Sequence, residues 1–343
     1  MSFESIIGQE RPVRFLTQML YKGNIPHSLL FTGVDGIGRQ RTAEALGMAL
    51  NCLNPVGVSA CNVCSSCKKV ASRSHPDIIR LKPEGAFIKI DQVRTLSRQL
   101  RFAPLEGKWR IVIVNEAQAM NLEASNAILK ILEEPPRRTL IILTASQTTD
   151  LLPTIVSRCQ QIAFRPISYE KVADFLVDVR GLDRQTATTL AVSTRGSLGK
   201  AMSVDGEKWT AWRGDLLEQL SSFSKRSLQP IFGFADSLSR DKAGLADALD
   251  ILMTWYRDSL MCKFSPDRII NKDYVTKIED MSQGEPVGEL LRKVEVVHAA
   301  QAAISRNANP RLALEVMMMR LFCSDSKNYL KASDRVRWQG EGR

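Results

Sequence analysis

A glycine-rich segment, GVDGIGRQ, has the outline of a phosphate-binding loop. In the pattern GxxxxGK[ST], the loop surrounds the phosphates, the lysine contacts the terminal phosphates and the hydroxyl residue binds magnesium. The glycines are present as Gly33, Gly36 and Gly38, but Arg39 and Gln40 occupy the lysine and hydroxyl positions. The segment therefore predicts either a degenerate nucleotide site or a simple strand-to-helix turn.

The second half of such a site would follow the apolar stretch RIVIV. A functional site ends this strand in Asp-Glu, whereas this chain has Asn115 and Glu116. A neutral amide at position 115 cannot neutralise magnesium, and Gln40 has no hydroxyl. Arg39 keeps a positive charge, but its planar fork is larger than a compact ammonium. Because three ligands of phosphate and magnesium are replaced, we predict weak or absent ATP binding and no hydrolysis by this chain alone.

Four cysteines suggest a metal site of a different kind. Cys52, Cys61, Cys64 and Cys67 follow the spacing C-x8-C-x2-C-x2-C. Two overlapping CxxC steps let the thiolates of a tight turn converge, and the first cysteine can complete a tetrahedron. Zinc favours four thiolates in this geometry, and a fully ligated site is structural. The spacing favours structural zinc over the alternatives, which are small buried residues or a redox pair.

Basic residues are concentrated between positions 68 and 110, where there are eleven Lys or Arg and four Asp or Glu. Within this stretch Arg94, Arg98 and Arg101 are spaced i, i+4, i+7, which places them on one face of a predicted helix. Such a row suits DNA phosphates, which position a partner without reading its sequence. A solvated helix face is the alternative, and both interpretations stay open.

The composition is that of a globular protein. Of 343 residues, 44% are hydrophobic and 24% are charged, and this length fits two or three domains. We expect a cytoplasmic protein without a membrane partner, because no apolar run approaches the roughly 20 residues of a membrane span. The N-terminus also lacks the pattern of a signal peptide. Seven cysteines in a reducing compartment favour metal ligation or burial over disulfides, and a net charge of +10 permits a polyanionic partner.

Short apolar strands alternate with helical segments in the first half of the chain. Strands are predicted at HSLLFT, DIIRL, RIVIVN and LIILTA, with helices at IKIDQVRTLSRQLR and LEASNAILKILEE. This alternation predicts a parallel sheet that is covered by helices on both faces. After Pro166 the predicted strands stop. From about Glu207 to Ser324 the chain is predicted to be helical, with apolar residues at helical spacing, such as Leu245, Leu249 and Leu252.

Several short motifs stand in a recognisable order along the chain. These are GQE near the N-terminus, HSLLFTG, the four-cysteine insert, NAILKILEEPP and, at residues 157–159, SRC. Together they resemble the AAA+ clamp-loader subunits of bacterial DNA polymerase III. The resemblance covers residues 1–205 strongly and the helical remainder more loosely, through WYRDSL and NPRLALE.

The resemblance implies an α/β RecA-like AAA+ domain with a zinc insert, a small helical lid and a C-terminal all-α collar domain. We predict the AAA+ domain at residues 1–166, with the insert at about 52–67. The lid is predicted at 167–205 and the collar, which serves oligomerisation, at 206–325. Residues 326–343 are predicted to form a polar tail.

The resemblance also implies a role for Arg158, in the SRC motif. In this family that arginine reaches into the ATP site of the next subunit, where a guanidinium stabilises charge on the transferring phosphate. The ATP-hydrolysing members keep the lysine, threonine and aspartate that this chain lacks, and Gly199 stands where their nucleotide-sensing arginine would be. The implied function is thus a non-hydrolysing stator that supplies Arg158 in trans. The alternative for Arg158 is an ordinary surface arginine.

Implied partners are gamma/tau-like ATPase subunits, the delta subunit, the sliding clamp, and primer–template DNA reached through the complex. Two other functions stay open. An active clamp-loader ATPase subunit is one, although Arg39, Gln40 and Asn115 count against it. A free-standing DNA-binding AAA+ protein is the other, and Arg158 would then have no partner site.

Overall fold

The computed structural model describes residues 2–223, 228–241, 244–305 and 308–322. Two compact units are distinguished. The first contains the residues up to Phe175 together with Arg195–Ser203, and the second contains Leu176–Thr194 and the described residues from Val204 onward. The segment predicted as a lid contributes to both units, so its boundaries stay a prediction. The polar tail predicted at 326–343 lies outside the described residues.

The four strands predicted from the apolar pattern are present, and a fifth strand, whose sequence QQIA is mostly exposed and polar, was not predicted. The strands are β1 (Ser28–Thr32), β2 (Ile78–Leu81), β3 (Arg110–Val114), β4 (Thr139–Ala145) and β5 (Gln160–Ala163). The helices that precede Val204 are α1 (Glu10–Lys22), α2 (Arg39–Asn51), α3 (Ser65–Ala71), α4 (Ile90–Gln99), α5 (Leu122–Glu133), α6 (Pro153–Val156), α7 (Tyr169–Arg180), α8 (Arg184–Ser193) and α9 (Leu198–Ser203). Those that follow are α10 (Gly206–Ser222), α11 (Leu228–Arg240), α12 (Leu245–Cys262), α13 (Val275–Gly284), α14 (Val287–Ser305) and α15 (Pro310–Phe322).

The strands form one parallel sheet in the order β2-β3-β4-β1-β5. Strand β1 lies between β4 and β5, with Ser28 opposite Ile141 and Leu29 opposite Gln160. Because every pairing is parallel, the carboxyl ends of the strands share one edge of the sheet and the amino ends share the other. The predicted parallel α/β region, followed by a helical C-terminal region, is confirmed.

Alternating strand residues cover the two faces of the sheet. Leu29 and Phe31 pack into a core with residues of α1, α2 and α3, whereas Leu30 packs on the opposite face with residues of α4, α5 and α6. Most strand residues of β1, β3 and β4 are buried. Burial on both faces explains why these strands are continuous apolar runs.

The helix boundaries have local causes. Asn121 caps α5 by accepting a hydrogen bond from the Ala124 amide at 2.8 Å, and α5 ends before Pro135 and Pro136, since proline cannot continue a helix. Asp183 caps α8 in the same way, through the amides of the first turn.

The described residues of the second unit form helices joined by turns, with no strand among them. Its core includes Leu245, Leu249, Leu252 and Trp255 along α12, which confirms the helical spacing predicted there. No helix within the described residues is long and apolar enough to cross a membrane.

Candidate functional site

The glycine-rich segment joins the carboxyl end of β1 to the amino end of α2. Its three glycines have positive φ angles, 142° at Gly33, 77° at Gly36 and 104° at Gly38, which side chains rarely adopt. The Gly33 amide donates to the carbonyls of Ala145 and Ser146 at 3.2 and 3.1 Å. The segment therefore has the backbone turn of a phosphate loop, with a helix N-terminus behind it.

Gln9, in the N-terminal GQE motif, binds this loop through its side chain. The Gln9 side chain is buried and donates to the carbonyls of Ile37 and Arg165 at 3.1 and 2.7 Å. Its amide oxygen accepts from the Arg165 backbone at 3.3 Å. Gln9 thus fixes the loop to the chain segment that follows β5.

Arg39 is directed into the protein instead of towards a ligand. It is the first residue of α2 and is only 6% exposed. Its guanidinium donates to the carbonyl of Ala145, the last residue of β4, and to the carboxylate of Asp35 in the loop itself. Burial lowers the pKa of Arg39, while the negative charge of Asp35 opposes that shift. A positive charge at this position is therefore already paired inside the chain.

The residues that follow β3 also differ from those that the pattern uses to bind magnesium. Asn115 follows β3 and its side-chain oxygen is buried without a hydrogen-bond partner. Glu116 has a left-handed backbone, with φ 52°, and its amide donates to Thr144 Oγ1 at 3.1 Å. Asn115 is neutral, Glu116 supplies a single carboxylate and Gln40 offers no hydroxyl ligand.

A segment at the start of α9 contacts the loop directly. Ser197 Oγ donates to the Asp35 carbonyl at 2.7 Å, and the Gly199 amide donates to the Gly36 carbonyl at 2.8 Å. A Cβ atom added to Gly199 would lie 2.8 Å from Gly36 Cα, closer than real Cβ contacts. The position where the resemblance implies a nucleotide-sensing arginine is therefore in backbone contact with the loop.

A cavity of about 500 Å³ lies beside these groups. Loop residues, Asn115 and Glu116 line one part, and apolar side chains that include Ile6, Phe175 and Met202 line another. The space is large enough for a small molecule. Arg39, which stands at the position of the pattern's lysine, is among its lining residues.

The cysteines converge as their spacing predicts. Cys52 follows the end of α2, Cys64 caps α3 and Cys67 lies in the first turn of α3. All four sulfur atoms, including that of Cys61, lie within 4.8 Å of one another, and those of Cys61 and Cys67 are 3.9 Å apart. Zinc–sulfur bonds of about 2.3 Å require a sulfur–sulfur distance of roughly 3.8 Å in a tetrahedron. The cluster could therefore bind a metal ion.

Backbone amides also donate hydrogen bonds to three of the four cysteine sulfur atoms. The amides of Cys61, Cys64 and Cys67 donate to the sulfurs of Cys52, Cys61 and Cys64 at 3.3 to 3.4 Å. Burial opposes ionisation of Cys64, but amide hydrogen bonds outweigh it and lower the pKa of Cys64 to about 6. Burial raises the pKa of Cys67. A cation in the cluster would favour the thiolate at both positions.

The predicted row of three arginines on one helix is wrong in one respect. Arg94 and Arg98 are exposed on α4, but the helix ends at Gln99 and Arg101 lies in the turn beyond it. At the end of the helix the Arg110 guanidinium donates to the carbonyls of Gln99, Phe102 and Ala103. Arg94 is 3.5 Å from Asp91, and Arg98 donates to the Thr95 hydroxyl at 3.0 Å.

Arg158 lies between α6 and β5, at the amino-end edge of the sheet. Ser28 Oγ, at the start of β1, donates to the Arg158 carbonyl at 2.6 Å. The phosphate loop begins at the other end of β1, which five residues at about 3.3 Å each place roughly 16 Å away. The Arg158 side chain is 36% exposed and pairs with Glu133 at 2.7 Å. Arg158 and the loop of the same chain are therefore on opposite edges of the sheet.

Several residues of these sites were not predicted from the sequence. They are Asp35, Ser197 and Glu133. Asp35 stands four residues before Arg39, a spacing that could have indicated an ion pair. Ser197 and Glu133 have no such local signal, because their partners are 162 and 25 positions away.

Comparison with known proteins is consistent with this geometry. The family model described as "DNA polymerase III, delta subunit" matches residues 8–168, and that described as "DNA polymerase III, delta subunit, C terminal" matches residues 207–321. The DNA polymerase III subunit delta' of Bacillus subtilis (strain 168) is 26% identical over 317 residues, which cover 91% of this chain and 96% of that protein.

Two further similar proteins have names that refer to DNA polymerase III subunits. The tau subunit of Bacillus subtilis (strain 168) is 24% identical over 93% of this chain, which spans 61% of that longer protein. The crystal structure of a gamma subunit-related protein from Thermotoga maritima is 20% identical, with a TM-score of 0.43 over 90% of this chain and 98% of that one. With two delta-subunit models following one another along most of its length, this chain belongs to the AAA+ clamp-loader family of DNA polymerase III.

Proposed function

We propose that this chain is a non-hydrolysing, delta-prime-like stator subunit of a clamp loader. It joins gamma/tau-like ATPase subunits and a delta subunit, and it supplies Arg158 to the ATP site of one neighbour. The complex opens a sliding clamp and places it on primer–template DNA. The chain itself performs no independent catalysis.

The observation that carries the proposal is the buried position of Arg39. Its guanidinium is paired with Asp35 and with the Ala145 carbonyl, so a phosphate would have to compete with contacts inside the chain. Gln40 and Asn115 supply neither the hydroxyl nor the carboxylate that magnesium prefers. Together these features support weak or absent ATP binding.

The position of Arg158 supports action on a neighbour. Since the guanidinium and the phosphate loop of this chain lie on opposite edges of the sheet, Arg158 cannot reach its own loop. An arginine at such an edge can instead approach a nucleotide that a second subunit presents. There it would stabilise charge on the transferring phosphate.

The other sites have supporting roles in this proposal. The four cysteines hold a structural zinc ion that fixes the insert at about residues 52–67. Arg94, Arg98 and Arg101 contact DNA phosphates within the assembled complex. The predicted division into an AAA+ domain, a lid at 167–205 and a collar at 206–325 belongs to the same proposal.

The first test is ATP turnover by the purified chain with magnesium. We expect no hydrolysis above background and weak or absent nucleotide affinity. The same measurement with a gamma/tau-type subunit added provides the positive control. Robust turnover by the pure chain would exclude the stator function.

The second test is Arg158→Ala in the reconstituted complex, with the exposed Arg137→Ala as the control. We expect normal assembly but a loss of clamp- and DNA-stimulated turnover at one site, where a trans arginine contributes about 10³ to 10⁵ in rate. Arg158→Lys should rescue poorly, because an ammonium cannot reproduce the planar fork. Wild-type clamp loading by Arg158→Ala would show that Arg158 is not a finger.

One observation favours a second candidate function, an active ATPase subunit. The cavity beside the loop has a volume of about 500 Å³, and Glu116 and Thr144 are among its lining residues. The matched relatives also include tau subunits at nearly the same identity as delta'. The turnover measurement on the pure chain separates the two functions.

A further inference from the structure

Glu133, the last residue of α5, contacts Arg158, the proposed arginine finger. Glu133 Oε1 is 2.7 Å from Arg158 Nη2. The other terminal nitrogen, Nη1, donates to the Thr154 carbonyl at 2.9 Å and lies 3.4 Å from Ser157 Oγ. We propose that Glu133 is a positioning residue, which holds the Arg158 guanidinium ready for a neighbour's nucleotide. This inference rests on the proposed function of Arg158.

Both ends of the pair are attached to well-fixed backbone. Glu133 follows the buried residues Ile131 and Leu132 of α5, which pack in the core beneath the sheet. The Arg158 carbonyl accepts from Ser28 Oγ, and the Arg158 amide donates to the Ile155 carbonyl at 3.1 Å. The ion pair therefore joins two rigid elements, and the flexible part between them is mainly the arginine side chain.

Arg158 retains donors for a ligand while it is held. A guanidinium has five N–H groups, and the hydrogen bonds to the Thr154 carbonyl and to Ser157 Oγ both come from Nη1. The N–H groups of Nε and Nη2 lie outside these two hydrogen bonds, and one edge of the fork presents both nitrogens, which suits a bidentate bond to phosphate. Since 36% of the side chain is exposed, they are accessible to a partner.

The pair also reduces the entropic cost of the trans contact. A free arginine side chain has many rotamers, and ordering it at the moment of binding opposes the contact. With Nη1 and Nη2 already held, much of that ordering precedes assembly. Because the contact between Arg158 and the neighbour's phosphate acts in the transition state, ordering Arg158 beforehand should raise kcat and leave KM nearly unchanged.

The same pair could have no role in turnover, because exposed ion pairs contribute little to folding stability. The distinction is experimental. A surface pair without function would leave turnover unchanged when Glu133 is replaced. A pair that holds Arg158 away from its target would increase turnover on replacement.

The experiment uses the reconstituted complex with clamp and primed DNA, in which kcat and KM for ATP are measured. The variants are Glu133→Ala and Glu133→Gln, with the adjacent exposed Glu134→Ala as the matched control. We expect Glu133→Ala to reduce the Arg158-dependent part of kcat roughly two- to fivefold, with little change in KM. Glu133→Gln should be intermediate, because it keeps a polar oxygen beside Nη2 but loses the negative charge. Glu134→Ala should match wild type.

A double variant separates positioning from general damage. Glu133→Ala combined with Arg158→Ala should behave as Arg158→Ala alone, because the carboxylate acts only through the guanidinium. An additional loss in the double variant, or an equal loss in Glu134→Ala, would overturn the inference. So would higher turnover in Glu133→Ala.

The outcome also separates this inference from the function on which it rests. If Arg158→Ala reduces turnover while Glu133→Ala does not, Arg158 is a finger that Glu133 does not position. If Arg158→Ala has no effect, the proposed function fails and the inference fails with it. Melting temperatures of all variants should equal that of wild type, which excludes loss of folding as the cause.

Discussion

Asp77, which precedes β2, is predicted to hold together the loop that follows the basic helix α4. Its side chain is fully buried. One carboxylate oxygen accepts from the Leu105 amide at 2.7 Å and from Arg110 at 3.1 Å, and the other accepts from the amides of Glu106 and Gly107 at 2.8 and 2.7 Å. Asp77→Asn would replace one of these oxygens by an NH₂ group. The new NH₂ group, itself a donor, would then face either the Leu105 amide and Arg110 or the amides of Glu106 and Gly107, which are also donors.

The expected cost follows from this geometry. Removing one partner of a buried ion pair typically costs about 3 to 5 kcal/mol. The lower end applies here, since Arg110 also donates to the carbonyls of Gln99, Phe102 and Ala103, which remain. For a unit of this size each kcal/mol lowers the melting temperature by about 2 to 4 °C. We therefore expect a decrease of roughly 6 to 12 °C for the first unit.

Thermal unfolding and amide hydrogen exchange together provide the assay. In Asp77→Asn the amides of Leu105, Glu106 and Gly107 should exchange faster. The protection of the β3 amides should decrease only as much as the global free energy of unfolding does. The control is Asp91→Asn. Asp91 is exposed, and its ion pair with Arg94 is long, at 3.5 Å, so its loss should cost little. A melting temperature within 2 °C of wild type, with loop amides still protected, would refute the reasoning.

The pH dependence provides a second measurement on Asp77. Burial opposes its ionisation, but hydrogen bonds from three amides and from Arg110 outweigh burial, so the pKa of Asp77 is lowered. A carboxyl group whose pKa is lowered by folding stabilises the protein above its unfolded pKa of about 3.9. This contribution is lost as the pH falls through the folded pKa. Asp77→Asn should therefore lose less stability than wild type on acidification below about pH 4.

The remaining predictions concern the metal, the DNA and the loop. Metal analysis should find about one zinc ion per chain, which Cys64→Ser should lose and Cys262→Ser should retain. Unchanged zinc in Cys64→Ser would contradict the assignment. Arg94→Ala and Arg98→Ala should each weaken DNA binding by the complex across all sequences and reduce the salt slope by roughly 0.9, whereas an unchanged slope would favour a solvated helix face. Gly199→Ala should destabilise the first unit by about 1 to 3 kcal/mol in urea unfolding, because its Cβ would meet Gly36. An unfolding free energy equal to that of wild type would contradict this expectation.

Much of the fold could be read from local patterns. The strands are short apolar runs because the sheet is buried on both faces, and the turns between them contain glycine and proline. The cysteine cluster was predictable for a similar reason. Its four ligands lie within sixteen residues, so adjacent turns are enough to bring them together. The replaced residues Arg39, Gln40 and Asn115 are equally visible, because the loop pattern assigns each position a role.

The tertiary structure decided where these side chains go. Arg39 keeps a cation in the loop pattern, but only the placement of β4 beside β1 brings the Ala145 carbonyl within reach of its guanidinium. Arg101 lies beyond the end of α4, where Arg110, from β3, binds the carbonyls of the turn. The pair of Glu133 with Arg158 likewise exists because α5 and the turn before β5 end at the same edge of the sheet. The contacts of Arg39 with Ala145 and of Arg158 with Glu133 join residues 106 and 25 positions apart, and the order in which the strands pair brings these residues together.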